Sequence, residues 1–225
     1  MNYYVGSREL EISDDELYDL YIDEGSEVEV FRYDDEVLKI YKSYCNKNRL
    51  DENTIKRLIG IDTKRIIMPS DIIRDDNSQL IGYTMPYIES NGLDEFKNMK
   101  IRYLIDELEI IRDDLKLLSK NHIDIEDMNI GNVLVGDGIY FIDPGSYNIS
   151  SYRENILYSL NKETMNSFIL KDILERFSRM SKNDKKILEE LIPIDDEYIG
   201  DILFCDYESL DNINKYVHRK VKSRL

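Results

Sequence analysis

Alanine is absent from this chain, and cysteine, proline and glycine are scarce. The two cysteines, Cys45 and Cys205, stand far apart in no metal-ligand or redox spacing, which excludes a zinc module or a disulfide framework and points to a reducing cytoplasm. Four prolines and ten glycines form no linker of their own, and no repeat or low-complexity stretch divides the 225 residues. No run approaches the roughly 18 apolar residues of a membrane span. The start, Met1 to Val5, leads into charged residues rather than a cationic flank and an apolar core, so a soluble protein is expected. Basic residues are outnumbered, 30 against 46 acidic, for a formal charge of −16. Phosphate backbones and anionic lipids are gripped by Lys and Arg, so this balance argues against nucleic-acid and membrane partners. The missing alanine, beside abundant Ile, Asn, Lys and Tyr, reads as a coding bias without functional meaning. The length suits one domain, or two small lobes sharing a cleft, and is enough to bury a sizeable core.

The most informative stretch runs Ile125-Glu-Asp-Met-Asn-Ile-Gly-Asn-Val-Leu-Val135 and, after Gly136-Asp137-Gly138, Ile139-Tyr-Phe-Ile-Asp-Pro-Gly145. Two apolar runs around a Gly-Asp-Gly turn predict a β-hairpin whose turn residues tolerate positive φ. Asp127 and Asn132 fall at one open end of that hairpin and Asp143 at the other. Hard oxygen donors of this kind suit Mg²⁺, which keeps several waters and needs few protein ligands beside a phosphate. Asp and Asn are also common turn residues, so the weight lies in loop, hairpin and Asp-Pro-Gly occurring together.

Asp127 and Asn132, five residues apart, followed by a short strand and then by Asp143-Pro-Gly145, resemble the catalytic loop and the Asp-Phe-Gly motif of the protein-kinase-like superfamily. The resemblance implies that Asp127 orients or deprotonates an attacking hydroxyl, while Asn132 and Asp143 hold Mg²⁺ against the phosphates of ATP. A second register, His122-Ile-Asp124 with Asn129, also fits the family's spacing and would make Asp124 the base. Asp127 is preferred because Asn132 runs straight into Val133-Leu-Val135, and His122 then reads as a helix-end residue. Asn129 departs from the family, which usually carries Lys, Arg or His there.

Upstream, Leu20–Ile22, Val28–Phe31 and Glu36–Tyr41 are short β-branched and aromatic runs separated by turn residues, and they resemble the first three strands of a kinase N-lobe. Val37 and Lys39 share a strand face, and the resemblance makes Lys39 the contact to the α- and β-phosphates; alone, such a lysine would read as a solvated edge residue. Matching Val30-Phe31 to the end of the glycine-rich loop puts Asp23, Gly25 and Val28 at its three glycine positions. Only Gly25 survives, among Asp23, Glu24, Glu27 and Glu29. A helix is expected over 51–61, with Glu52 as the ion-pair partner of Lys39 by resemblance, or as a dipole-favoured surface acid otherwise. Two strands are expected over 66–73 and 79–88. The second resembles the strand entering the interlobe hinge, with Met85 as gatekeeper and the Pro86 carbonyl and Ile88 N–H facing the adenine edge.

A long amphipathic helix follows from Ile101, Leu104, Leu108, Ile111, Leu115 and Leu118. After Gly145 only about 80 residues remain, without Ala-Pro-Glu, and they read as helices over 153–160, 163–180, 183–192 and 209–224. The basic run of Lys215, Arg219, Lys220, Lys222 and Arg224 suits a helix C-terminus or an acidic docking surface. The expected fold is α+β and bilobal: residues 1–88 as a small antiparallel N-lobe with one helix, 89–225 as a reduced helical C-lobe. The resemblance implies ATP- and Mg²⁺-dependent transfer of a γ-phosphate to a hydroxyl on a protein or a small molecule. Its alternative is a pseudokinase, a kinase-shaped module that binds nucleotide or protein without turnover, suggested by the eroded glycine loop, Pro144 in place of Phe and the absent Ala-Pro-Glu.

Overall fold

The computed structural model describes residues 3–10, 12, 14–44, 49–93, 95–99, 101–126, 128–143, 147–174 and 176. The expectations placed on Cys45, Asp127, Pro144, Gly145, Cys205, the basic run near the C-terminus and the helices over 183–192 and 209–224 lie outside these residues. The chain divides into two compact units, one of Met1–Thr63, Ile67–Ile88 and Asp143–Ser146, the other of Lys64–Ile66, Glu89–Ile142 and Tyr147–Leu225. Among the described residues no helix is long and apolar enough to cross a membrane.

The first unit is an antiparallel sheet with two short helices. Its elements are β1 (Tyr3–Val5), β2 (Arg8–Leu10), α1 (Asp14–Asp19), β3 (Tyr21–Glu24), β4 (Val28–Tyr33), β5 (Glu36–Tyr41), α2 (Glu52–Leu58), β6 (Asp71–Arg74) and β7 (Leu80–Pro86). The seven strands lie in the order β2-β1-β6-β7-β5-β4-β3. Because side chains alternate along a strand, Phe31 and Leu38, directly opposed, turn to one face and join Tyr3, Val5, Leu10, Leu17 and Ile73 in a buried cluster. β1 and β2 fall in a segment whose sequence predicts no strand, since three residues are too few to show a period. The strand expected from Ile66 begins only at Asp71: Pro69 has no N–H for a ladder, and Ile66 instead bridges Phe141 within the second unit. α2 starts where the Asp51 carboxylate accepts from the N–H groups of Asn53 and Thr54 at 2.8 and 3.0 Å.

The second unit contains α3 (Glu95–Asn98), α4 (Ile101–Lys120), β8 (Ile123–Ile125), a 3₁₀ turn (Ile130–Asn132), β9 (Val133–Val135), β10 (Ile139–Phe141), β11 (Tyr147–Ile149), α5 (Glu154–Phe168) and a π-helix (Ile169–Leu174). The apolar stripe of α4 is core as its periodicity predicts, with Leu104, Leu108, Ile111, Leu115 and Leu118 fully buried. β8 and β11 pair with each other, Tyr147 opposite Ile125. Where two helices are expected around residues 160–163, a single one runs through. The reason is Asn161: buried in α5, its amide accepts from the Ile125 N–H at 2.9 Å and donates to the Ile123 carbonyl and the Ser119 hydroxyl at 2.9 and 3.0 Å. A polar residue inside a helix is thus a fully satisfied tie between α5, β8 and α4.

The hairpin forms in the expected register, Val135 opposite Ile139 and Val133 opposite Phe141. Its turn differs in one respect, because none of residues 136–138 adopts positive φ. Glycine is needed at 138 for space: a Cβ there would lie 2.6 Å from the Arg65 guanidinium carbon. That guanidinium is held by Glu107, with Nε and Nη2 donating to its carboxylate at 2.5 and 3.0 Å, and the same carboxylate accepts the Ile139 N–H at 3.0 Å. Arg65 also reaches the Tyr140 hydroxyl, which donates to Asp137 at 2.6 Å. Asp114 accepts the N–H groups of Lys64, Arg65 and Ile66, so α4 fixes both the 64–66 segment and the start of β10.

Candidate functional site

In the first unit, the antiparallel register brings several of the expected nucleotide residues onto one face of the sheet. Val30 opposes Lys39, Lys39 opposes Tyr83, and Val37 opposes Met85, and directly opposed residues point to the same side. The face is therefore apolar, from Val30, Val37 and Met85, with a lysine set into it. Lys39 is only 7% exposed, and burial lowers its pKa, opposed by the charge and hydrogen bond of Asp143. The ammonium lies 3.5 Å from the Asp143 carboxylate, an ion pair too long for a strong hydrogen bond. Tyr83 belongs to this face as well, its ring centroid 6.0 Å from the Lys39 nitrogen. Its two-residue offset from Met85 is the sequence signal that marks it.

Glu52 does not join Lys39. Its carboxylate is held by Arg74 at 2.7 Å and by Lys56, one turn on, at 2.5 Å, and Arg74 first, then Lys56, lowers its pKa. The pair expected with Lys39 fails because β6 offers Arg74, a nearer cation, to the start of α2. Pro86 closes β7 opposite Glu36, and the next residue, Tyr87, donates its N–H to the Asp35 carbonyl. Ile88 ends the first unit's second segment half-buried.

The β3–β4 turn at Gly25 closes on itself. The Gly25 N–H donates to the Val28 carbonyl at 2.9 Å, and Glu24 takes the Lys42 ammonium at 2.7 Å. Gly25 has no positive φ, and an added Cβ would make only an ordinary contact, 3.6 Å from Val28. Position 25 therefore uses no property of glycine. Gly25→Ala is expected to change stability by less than about 0.5 kcal/mol, whereas Gly138→Ala, which collides with Arg65, should cost roughly 1–3 kcal/mol. Thermal melts of the two variants measure the contrast.

In the second unit, the 3₁₀ turn places Asn132 at the base of the hairpin, where its carbonyl accepts the Ile142 N–H at 3.0 Å; Asp143 is the next residue of the chain. Asn129 caps that turn, its side chain accepting the Gly131 N–H at 3.0 Å. Asp124 sits in β8, half-buried, between Ile123 and Ile125, and its pKa is raised by burial and then by Glu126. Among the described residues no three His, Cys, Asp or Glu side chains cluster as a metal cage. A carboxylate and an amide are hard oxygen donors of the type that suits Mg²⁺ beside phosphates, and the side chains of Asp143 and Asn132 are of that type.

No family model and no curated protein matches the sequence. Among solved structures, the chain is similar to the kinase domain of PknI from Mycobacterium tuberculosis, with a TM-score of 0.55 over 89% of this chain and 93% of that one. The fold is protein-kinase-like. At 10% identity this likeness speaks for the fold alone. It makes the α+β class, with its antiparallel sheet and helices, that of a kinase-like chain. Lys39 lies in β5, the third strand of the meander β3, β4 and β5.

Proposed function

We propose that this chain is an ATP- and Mg²⁺-dependent phosphotransferase that moves the γ-phosphate to a hydroxyl acceptor, with a bilobal kinase arrangement as part of the same reading. The observation that carries it is the buried Lys39 paired with Asp143 on the apolar sheet face, in a chain with a kinase-like fold. A buried lysine on an apolar face is costly, and such groups are retained mainly where a ligand uses them.

On this reading Val30, Val37 and Met85 cover the base, and the Pro86 carbonyl and Ile88 N–H read its edge. Lys39 binds the α- and β-phosphates, while Asn132 and Asp143 hold the metal. Bound Mg²⁺ supplies neutralisation of the phosphate charge. Asp127 orients the acceptor hydroxyl and accepts its proton. The placement of Asp124 within the β8–β11 ladder supports Asp127 as the base, since a strand residue is less free to follow an acceptor. Asp127→Asn is expected to lower transfer by about 10²–10⁴-fold while leaving ATP affinity nearly intact. Turnover against protein and small-molecule acceptors, beside calorimetric ATP titration, checks this. Unchanged turnover in the variant refutes the mechanism.

One second reading has specific support. The Gly25 N–H is spent on Val28 and Glu52 is held by Arg74, so two aids to phosphate binding in kinases are engaged elsewhere. A nucleotide-binding module without turnover would show metal-dependent ATP binding and no transfer to any acceptor.

A further inference from the structure

We propose that the cavity beside Glu126 and Met128 in the second unit is the acceptor pocket, and that it selects a small hydroxyl-bearing amine. This deepens the phosphotransferase reading and rests on it for the role of acceptor, but not for the binding itself. The cavity has a volume of about 390 Å³, within the range of small-molecule sites and too small for a folded partner. Glu126 and Met128 line it and flank the proposed base, residue 127, in sequence.

The rest of the lining comes from one stretch of helix. α5 contributes Glu163, Thr164 and Ser167, and the π-helix that follows contributes Lys171 and Asp172. Wide i→i+5 turns are rare and frequently mark functional positions, and here one runs directly on from α5 along the cavity wall. The buried ring of Phe168 and the half-buried Met128 give apolar surface for a carbon skeleton.

Charge sets the class of ligand. Asp172 is already matched by Arg176 at 3.2 Å. Glu126 and Glu163 are exposed and, among the described residues, their carboxylates have no hydrogen-bond or ion-pair partner, and the half-buried Asp124 next to Glu126 adds to the same field. Among the described residues Lys171 is the single cation of the lining, and it offsets one of these acids. Two unpaired carboxylates in one lining, with the Thr164 and Ser167 hydroxyls following Glu163 along the helix, suit an ammonium next to a hydroxyl.

The test uses a matched pair of probes, 1,3-diamino-2-propanol and glycerol, which differ in carrying two ammonium groups or two hydroxyls. NMR-detected titration of the full chain at low salt is expected to show the diamine binding at least about tenfold tighter than glycerol, a difference that shrinks as salt rises. The Glu126→Gln/Glu163→Gln double variant should lose about tenfold in diamine affinity and keep its melting temperature and its ATP-induced thermal shift. Equal binding of the two probes to the natural chain, or undiminished diamine binding in the double variant, overturns the pocket. Selective diamine binding with no ATP-induced shift would leave the pocket standing and sink the phosphotransferase reading; the reverse pattern does the opposite.

Discussion

Glu107→Ala is expected to lower the stability of the chain by about 3–5 kcal/mol, more than the collision at residue 138 costs. Arg65 is 17% exposed at its side chain and Glu107 only 5%, so removing the acid strands a guanidinium that water reaches poorly. The substitution also orphans the Ile139 N–H, which donates to the same carboxylate and starts the second strand of the hairpin. For a chain of this length the melting temperature should fall by roughly 6–20 °C. The discriminating control is the double change Arg65→Met/Glu107→Leu, which removes both charges and should recover much of the loss, because paired burial of charge is itself near break-even. Denaturant melts of the single and double variants read this out. Near-natural stability in the single variant would mean that the pair is no more than a surface contact.

The second large effect belongs to Lys39, and its signature is a split between stability and binding. Lys39→Met replaces a buried ammonium with an apolar chain of similar length on a face already apolar, opposite Val30 and Tyr83. Asp143, at 38% side-chain exposure, can be solvated once its partner is gone. The fold should therefore be as stable as before, or more so, while ATP affinity drops by roughly 10–100-fold both with and without Mg²⁺, since a charge-assisted contact to phosphate contributes about 1.5–3 kcal/mol. A structural lysine would show the reverse: lost stability and unchanged nucleotide binding.

How much of this is legible in the sequence depends on segment length and on which partner a charge finds. β4, β5 and the hairpin β9–β10 are apolar, β-branched or aromatic runs bounded by turn residues, α4 carries an apolar stripe at three- and four-residue steps, and the chain folds there as they predict. β1, β2, β8 and β11 are three residues each, too short to announce themselves, and their strand character comes from the partner they pair with. The helix expected to end at residue 160 runs on through Asn161, whose burial is not legible because a polar side chain in a helix usually faces water and nothing local shows that Ile123, Ile125 and Ser119 will satisfy it. The same limit applies at the candidate site. Alternation puts Val37 beside Lys39, and by the same count would put Tyr83 beside Met85. That Glu52 meets Arg74 rather than Lys39 is a property of strand order, with β6 brought beside β7 and β1, and no residue type encodes it locally.

A nucleotide and metal site that uses Lys39, Asn132 and Asp143 is tested most directly by the ATP-induced thermal shift of the natural chain and of Asp143→Asn, each measured with Mg²⁺ and with a chelator. The natural chain is expected to be stabilised by ATP more strongly with Mg²⁺ than with chelator. Asp143→Asn is expected to melt near the natural temperature without ligand and to lose the Mg²⁺-dependent part of the shift. An Asp143→Asn variant that keeps the full Mg²⁺-dependent shift would contradict this, and would place any metal site away from the end of the hairpin.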